Sequence, residues 1–420
     1  MAKAGAGSLS VTSPGVAGAR RPVAARVLFA DRQFSRLWAV GGLGGAMRWL
    51  EILVLGIYAY EISGSAFVVS AMLVARMAPM VLFGTVIGAL VEGMDRRRVL
   101  IGACLLMAGG ALAITAASVL NVMSLPLLAA IAFLNGLGWS TDFPVRRTLV
   151  GDVVAAEYLG NAMAFDSATN SATRMLGPLI GGAVYQWVGL TGAYAIATGF
   201  YLAMTLLAVG LTPVAARATA PSAGLLRRLA EGFAYARGSG AIAGVLIITV
   251  LLNFFGFAYA AIVPVWAVES FAADPVRVGL LAAAEGAGAL CGSVSLAFFA
   301  RAGAFQRIFL IGATVFVGAL LISAKLPIYA LAMAVLFIAG VGISCFGAMQ
   351  STIVLNACEP SYRSRVMGVL AACIGAGPLG VLHIGWLAEL TSASTAIAIS
   401  SAEGLVLMLL VVWRLPGIRR

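Results

Sequence analysis

An all-α membrane protein with twelve spans in two six-helix halves is the fold class this sequence predicts, on three observations. Of its 420 residues 62% are hydrophobic and only 10% charged, and mean hydropathy is +1.03. Soluble domains carry roughly a quarter charged residues. The apolar residues fall in runs long enough for a hydrocarbon core about 30 Å thick, which takes about 20 helical residues. Basic residues collect on alternate connections between the runs. Backbone in lipid must satisfy its own hydrogen bonds, which leaves helices or closed barrels. These runs far exceed a membrane strand, so helices are predicted.

Residues 1–30 are Ala-, Gly- and Ser-rich with scattered arginines and contain no apolar stretch leading to a small-residue cleavage site. They read as a disordered cytoplasmic tail rather than a signal peptide. The spans are then predicted at 37–60, 66–91, 99–120, 124–149, 159–186 and 190–211, followed by 241–268, 277–300, 307–326, 328–355, 365–389 and 393–414. That organises the chain as a first bundle over 31–212, a linker over 213–240, a second bundle over 241–415 and a tail over 416–420. The linker segment LLRRLAEGFAYAR puts Leu225, Leu229 and Phe233 on one helical face. Such a helix suits either the membrane interface or an ordinary connector.

The net charge of +11 would, taken alone, suggest nucleic acid. Its placement points to topology instead. Arg48, Arg76 and Arg174 lie deep inside spans, Arg277 and Lys325 lie in or at the edge of odd-numbered loops, and every other basic residue falls in the N-terminal tail, in or at the edge of the even-numbered loops, or at the C-terminus. The positive-inside rule then puts both termini in the cytoplasm. The five cysteines (Cys104, Cys291, Cys345, Cys358 and Cys373) show no CxxC spacing and read as small apolar residues rather than disulfides or metal ligands.

The halves echo one another. Gly136-Leu-Gly138 recurs as Gly340-Val-Gly342, and the same offset carries Tyr158 to Tyr362 and Met163 to Met367. Leu100-Ile-Gly102 matches Leu310-Ile-Gly312, and Gly177-Pro178-Leu179 matches Gly377-Pro378-Leu379. A six-plus-six duplication with a basic central loop is a transporter pattern, with the substrate path between the halves.

Several motifs carry a resemblance. The segment GALVEGMDRRR, from Gly88 to Arg98, resembles the G-x-x-x-D-R/K-x-G-R-R signature of the major facilitator superfamily. Glu92 supplies the acid, Gly93 stands where a cation is usual, and Asp95 stands where glycine is usual. The resemblance implies that Gly88 permits close helix contact and that Glu92, Asp95, Arg96 and Arg97, with Arg146 and Arg147, form a cytoplasmic latch. The alternative is a plain positive-inside cluster. Span five holds Arg174-Met-Leu-Gly177-Pro178-Leu-Ile-Gly181-Gly182, which resembles the end of the G-P-x-x-G-G motif of antiporter branches. Gly377 and Pro378 repeat it, and the pattern suits helix bending or close packing. Arg76-Met-Ala-Pro79, FPVRRTLVGDVV, LGNAMAF and RSRVMGVLAACIGAGPLG resemble bacterial exporters of macrolides, other drugs or siderophores. That implies a monomer in the bacterial inner membrane that exchanges protons for small molecules.

Charges inside spans cost several kcal/mol unless paired or wetted, so they mark mechanism. Arg48 and Glu51 share a helical face, as do Asp166 and Arg174, and Arg76 and Glu285 complete the set. Glu51 and Asp166 lead as proton-coupling carboxylates, followed by Glu285; the alternative for each is a static ion pair. His383, the only histidine, is either a titrating group or a packing residue, and Glu403 has no assigned part. Trp139, Phe254, Phe257 and Tyr259, with Phe255 and Trp266, either line a cavity for an amphipathic solute or pack against neighbours.

The leading reading is a proton-coupled exporter without cofactor or metal; an importer and a non-transporting receptor or scaffold are the alternatives. An enzyme fits poorly. One histidine cannot form HExxH, no G-x-S-x-G occurs, and Lys3 and Lys325 lie outside any G-x-x-x-x-G-K-[ST] loop.

Overall fold

The structure, a computed structural model, describes residues 21–92, 94–155, 157–213, 225–299, 303–359 and 361–418. Among them the regular elements are all helices. In the first half these are α1 (Arg21–Ala30), α2 (Arg32–Ser63), α3 (Ala66–Glu92), α4 (Arg96–Val119), α5 (Leu125–Val153) and α6 (Leu159–Val209). The connector α7 (Leu225–Arg237) leads into α8 (Gly240–Leu251), a π-helical turn at Leu252–Gly256 and α9 (Tyr259–Phe271). Then come α10 (Pro275–Phe299), α11 (Phe305–Lys325), α12 (Tyr329–Ala357), α13 (Arg363–Ile374), α14 (Gly377–Leu390) and α15 (Ala393–Arg414).

Among the described residues ten helical runs are long and apolar enough to cross a membrane. Two predicted spans fall outside that count for different reasons. In α5 the polar residues Asn135, Ser140, Thr141 and Asp142 lower the hydropathy. The spans predicted at 159–186 and 190–211 form one 51-residue helical run, and it folds back on itself. Gly189 interrupts it at φ 63° and ψ −167°, a conformation that side chains disfavour. Trp38 Nε1 donates to Thr169 Oγ1 at 2.9 Å and Arg36 donates to the Gly210 carbonyl, so both ends of α6 meet the start of α2. A straight helix, rising about 1.5 Å per residue, would hold those ends far apart.

Helix starts follow local chemistry. Asp31 caps α2 by accepting from Gln33 N at 2.8 Å, Asp95 caps α4, and Ser239 and Ser392 cap α8 and α15. Each carboxylate or hydroxyl satisfies an N–H that the first helical turn leaves unpaired.

Two segments differ from expectation, and the linker helix takes one of its two expected places. Residues 21–30, assigned to the tail, form α1, because Leu28 is buried and Phe29 packs edge-on against Phe34, Trp38 and Phe165. Residues 1–20 and most of the linker, 214–224, lie outside the described residues. The linker helix α7 packs on α13 as a connector. Tyr235 stacks on Tyr362 at 4.4 Å, Glu231 pairs with Arg365 at 3.1 Å, and Phe233 remains exposed. Last, the backbone stays helical through Gly177-Pro178, whereas the second copy does break: α13 ends at Ile374 and α14 restarts with Pro378 in its first turn.

Close packing between the halves gathers at one end. A Cβ on Gly279 would lie 2.5 Å from the Pro178 carbonyl oxygen, and one on Gly182 would strike the Pro275 carbonyl. At the same end Ser65 Oγ donates to Glu389 at 2.8 Å, Tyr60 donates to Glu269 at 3.3 Å, and Val276 N donates to Gln186 at 3.1 Å. Toward the opposite end, Asn161, Ala164, Ser167, Ala168 and Asn170 of α6 and Ala371 and Ala372 of α13 are exposed. The halves therefore meet tightly at one end and splay at the other.

That contact yields a prediction. Gly182→Leu will force α6 from α10 and open the tight end. In a cysteine-free background, maleimide labelling of a cysteine at Ser65 should speed up severalfold; an unchanged rate would count against the packing argument.

Candidate functional site

Among the described residues Arg48, Arg76, Arg146, Arg147 and Arg174 cluster with Glu51, Asp142, Asp166 and Glu285, and their pairing differs from what spacing along each helix suggested. Glu51, on α2, is wholly buried and faces α3, where Arg76 donates to it at 2.7 Å. Asn135 Nδ2, from α5, completes its surroundings at 3.5 Å, and Tyr194 and Tyr201 of α6 lie beside it. The expected contact with Arg48 is not made. Glu51 lines neither of the cavities described below, so it ties three helices of one half together.

Asp166 likewise turns from Arg174 to α5. Arg146 donates to one oxygen at 2.5 Å and Arg147 Nε to the other at 3.1 Å. Arg147 also covers the Phe143 ring at 4.3 Å. These two arginines were expected to hold a latch to Glu92. The Glu92 and Gly88 side-chain positions lie outside the described residues, as does Gly93, and Asp166 is the acid that takes both arginines.

The remaining motif cations knit the first half together. Arg96 pairs with Asp152 of α5 at 2.5 Å. Arg97 donates to the Val209 carbonyl at 2.5 Å, so with Arg36 on Gly210 it satisfies carbonyls that the end of α6 leaves free. Asp95 is a helix cap, with Arg98 at 3.6 Å.

Arg174 reaches across the molecule. Its guanidinium meets Glu285 of α10 at 2.5 Å, and the Tyr259 hydroxyl of α9 donates to the other Glu285 oxygen at 2.9 Å. This trio borders a small cavity between the halves, of about 50 Å³, walled by Trp49, Leu53, Pro178, Val263 and Pro264. A second, polar cavity of about 20 Å³ opens among Gly44, Arg48, Trp139, Asp142, Arg146 and Asp166.

Aromatic expectations divide. Tyr259 and Trp139 line these cavities. Phe257 packs on Phe316 at 5.0 Å and near Phe346 at 6.2 Å, inside the second half. Phe254 sits 5.3 Å from the His383 ring, and Trp266 is fully buried. His383 Nε2 lies 3.0 Å from Glu403, which gives both residues a partner across α14 and α15. Gly177 and Gly181 bring α6 against α2: a Cβ on Gly177 would lie 2.5 Å from that of Trp49.

Asp142 escaped the sequence reading. It is buried, and its Oδ1 has no hydrogen-bond partner. Its signal was present as an acid between Trp139 and Arg146 in a span otherwise free of acids until Asp152. Glu269 and Glu389 were missed because they sit at span ends, where a carboxylate costs little.

A family model described as transmembrane secretion effector matches residues 25–419. The chain belongs to that family of the major facilitator superfamily. This family member is a transporter rather than an enzyme. It is 25% identical over 363 residues to macrolide efflux protein A of Streptococcus pyogenes, covering 83% of this chain and 88% of that protein. Macrolide efflux protein A of Enterococcus faecalis is 25% identical over 329 residues, covering 76% of this chain and 100% of that one. Among solved structures, the nucleoside transporter NupG aligns with a TM-score of 0.68 and 12% identity, over 90% of this chain and 98% of that one. A bacterial homologue of the human lysosomal transporter Spinster, captured inward-facing and unoccupied, aligns at 0.65 and 15%, over 95% and 96%. The D-xylose–proton symporter aligns at 0.69 and 13%, over 91% and 98%. These structural likenesses concern the fold.

The Glu51–Arg76 pair generates the second prediction. Breaking a buried pair by removing one partner costs about 3–5 kcal/mol, because the other charge stays behind. Glu51→Gln should therefore lower the thermal midpoint of the transporter in detergent, and Glu51→Gln with Arg76→Gln should recover part of the loss. Equal midpoints for wild type and Glu51→Gln would show that the pair contributes nothing to stability.

Proposed function

We propose that this transporter exports amphipathic small molecules in exchange for protons by alternating access of its two halves. The observation that carries the reading is the Arg174–Glu285 pair, a partly buried ion pair that joins the halves beside the cavity between them. Opening the tight end must break it. A proton on Glu285 removes the charge that holds Arg174, so protonation and separation of the halves are linked. Asp166 holds Arg146 and Arg147 where α6 becomes exposed, and it links a second protonation event to the packing of α5 on α6.

In this reading the chain crosses the membrane twelve times, with α6 contributing two crossings around Gly189 and α5 one. Both termini lie in the cytoplasm, on the side where the connecting arginines collect. The splayed end then faces inward, and the protein works as a monomer in a bacterial inner membrane. The names of the efflux relatives favour export over import.

The test is transport in liposomes of neutral lipid under an imposed pH gradient, with a panel of macrolides, siderophores and amphipathic drugs. At least one solute should move against its gradient and stop when the pH gradient collapses. Glu285→Gln and Asp166→Asn should each abolish gradient-driven movement while the protein remains monodisperse. Flux indifferent to pH in wild type would refute proton exchange.

A further inference from the structure

Five arginines (Arg48, Arg76, Arg146, Arg147 and Arg174) face four carboxylates (Glu51, Asp142, Asp166 and Glu285) in the described interior. Four of the arginines hold a carboxylate. Arg48 is the exception: among the described residues no carboxylate oxygen comes within the 4.0 Å of an ion pair. The charged groups that act on it most strongly are Arg76 and Arg174, and each of those is already committed to a glutamate. Asp142 and Asp166 border the same polar cavity, yet Asp166 is divided between Arg146 and Arg147 and Asp142 pairs with none of the five. Arg48 is thus the one arginine of the five that no described carboxylate of the chain holds, and its guanidinium is left without an ion-pair partner among the described residues.

The surroundings of Arg48 suit a ligand with an acidic head and an apolar body. Its guanidinium lies 4.0 Å from the Trp139 ring centroid and 4.9 Å from that of Trp49, contacts that steady a cation without cancelling its charge. Trp49 Nε1 is a buried donor without an acceptor, and Trp49 also walls the apolar cavity between the halves. One side chain therefore lies between a free cation and an apolar chamber. A guanidinium presents paired donors that match a carboxylate or phosphate.

We propose that Arg48, flanked by Trp49 and Trp139, binds the acidic group of the transported solute, so that the substrates are anionic or zwitterionic amphipaths rather than simple lipophilic cations. The proposal rests on the exporter reading above for the word transported, but the binding it requires can be tested alone. Arg48 recognises the acid, the two tryptophans seat the apolar body, and the two cavities give the ends of one molecule separate environments.

Pyrenebutyrate and its methyl ester share a body and differ in charge, and pyrene accepts energy from tryptophan. Their binding to the full chain in nanodiscs of neutral phosphatidylcholine is read by tryptophan-to-pyrene transfer, with pyrenebutylamine as the cationic counterpart. Charge-assisted hydrogen bonds of this kind give about a tenfold preference or more. Wild type should bind the acid about tenfold more tightly than the ester, Arg48→Gln should bind both equally, and Arg48→Lys should keep part of the preference. Equal binding of acid and ester by wild type, preference for the amine, or an undiminished preference in Arg48→Gln would each overturn the proposal. If Arg48→Gln fails to fold, the acid–ester comparison in wild type and Arg48→Lys decides. Added phosphatidylglycerol should leave pyrenebutyrate affinity unchanged; loss of binding would assign the site to a lipid headgroup instead. None of these readouts depends on flux, so failure of the pH-gradient assay would leave them standing.

Discussion

A charge carried into an apolar helix bundle must meet an opposite charge, and that requirement organises this molecule. Each buried carboxylate held by arginine draws its partner from another helix: α2 to α3, α6 to α5, α10 to α6. Pairing across helices has a geometric cause. A carboxylate and a guanidinium three residues apart on one helix can meet only at its surface. Two facing helices instead enclose the pair, exclude water and strengthen it. The same enclosure makes each pair costly to break from one side only.

The pairs then divide into two mechanical kinds. Glu51–Arg76 and Asp166–Arg146 lie inside the first half, so the halves can move apart without disturbing them. Arg174–Glu285 lies between the halves and cannot survive their separation at that point. Glycine contact reinforces the distinction. Gly182 and Gly279 let α6 and α10 approach backbone to backbone close to this pair, which brings Arg174 within reach of Glu285. Small residues and an ion pair act together there, because packing in lipid gains from close approach rather than from burying apolar surface away from water.

Span positions were legible in the sequence because they depend on one local quantity, the length of an apolar run. α2, α3, α4, α12 and α15 begin and end within a few residues of expectation. The break at Gly189 was legible only as a gap between two apolar runs; the positive φ that turns the chain there follows from the glycine. The ion pairs were not legible. Glu51, Arg76, Asp166, Arg174 and Glu285 stood out against apolar surroundings, whereas Arg146 and Arg147 read as loop cations, and partners such as Arg174 and Glu285 are set by helix rotation and by the docking of two halves. Periodicity along one helix favoured Arg48 with Glu51 and Asp166 with Arg174, and tertiary packing overrode both. Asp142 lies inside the span predicted at 124–149 beside the polar residues Ser140 and Thr141, where its charge stands out less than that of Glu51 or Glu285 among apolar neighbours.

The unpaired guanidinium of Arg48 follows from the same constraint by elimination. If every interior arginine served packing alone, each would have drawn a carboxylate, since an uncompensated guanidinium among apolar helices is unfavourable. Four arginines satisfy that condition. Arg48 lies on the helix that also carries Glu51, and Glu51 points toward Arg76, so the nearest acid in sequence is already occupied. Two tryptophans hold the guanidinium in place without neutralising it. A group positioned so firmly yet left with its charge open is better suited to meeting an anion from outside the chain than to holding the chain together, and an anion arriving there meets both halves of the molecule through Trp49.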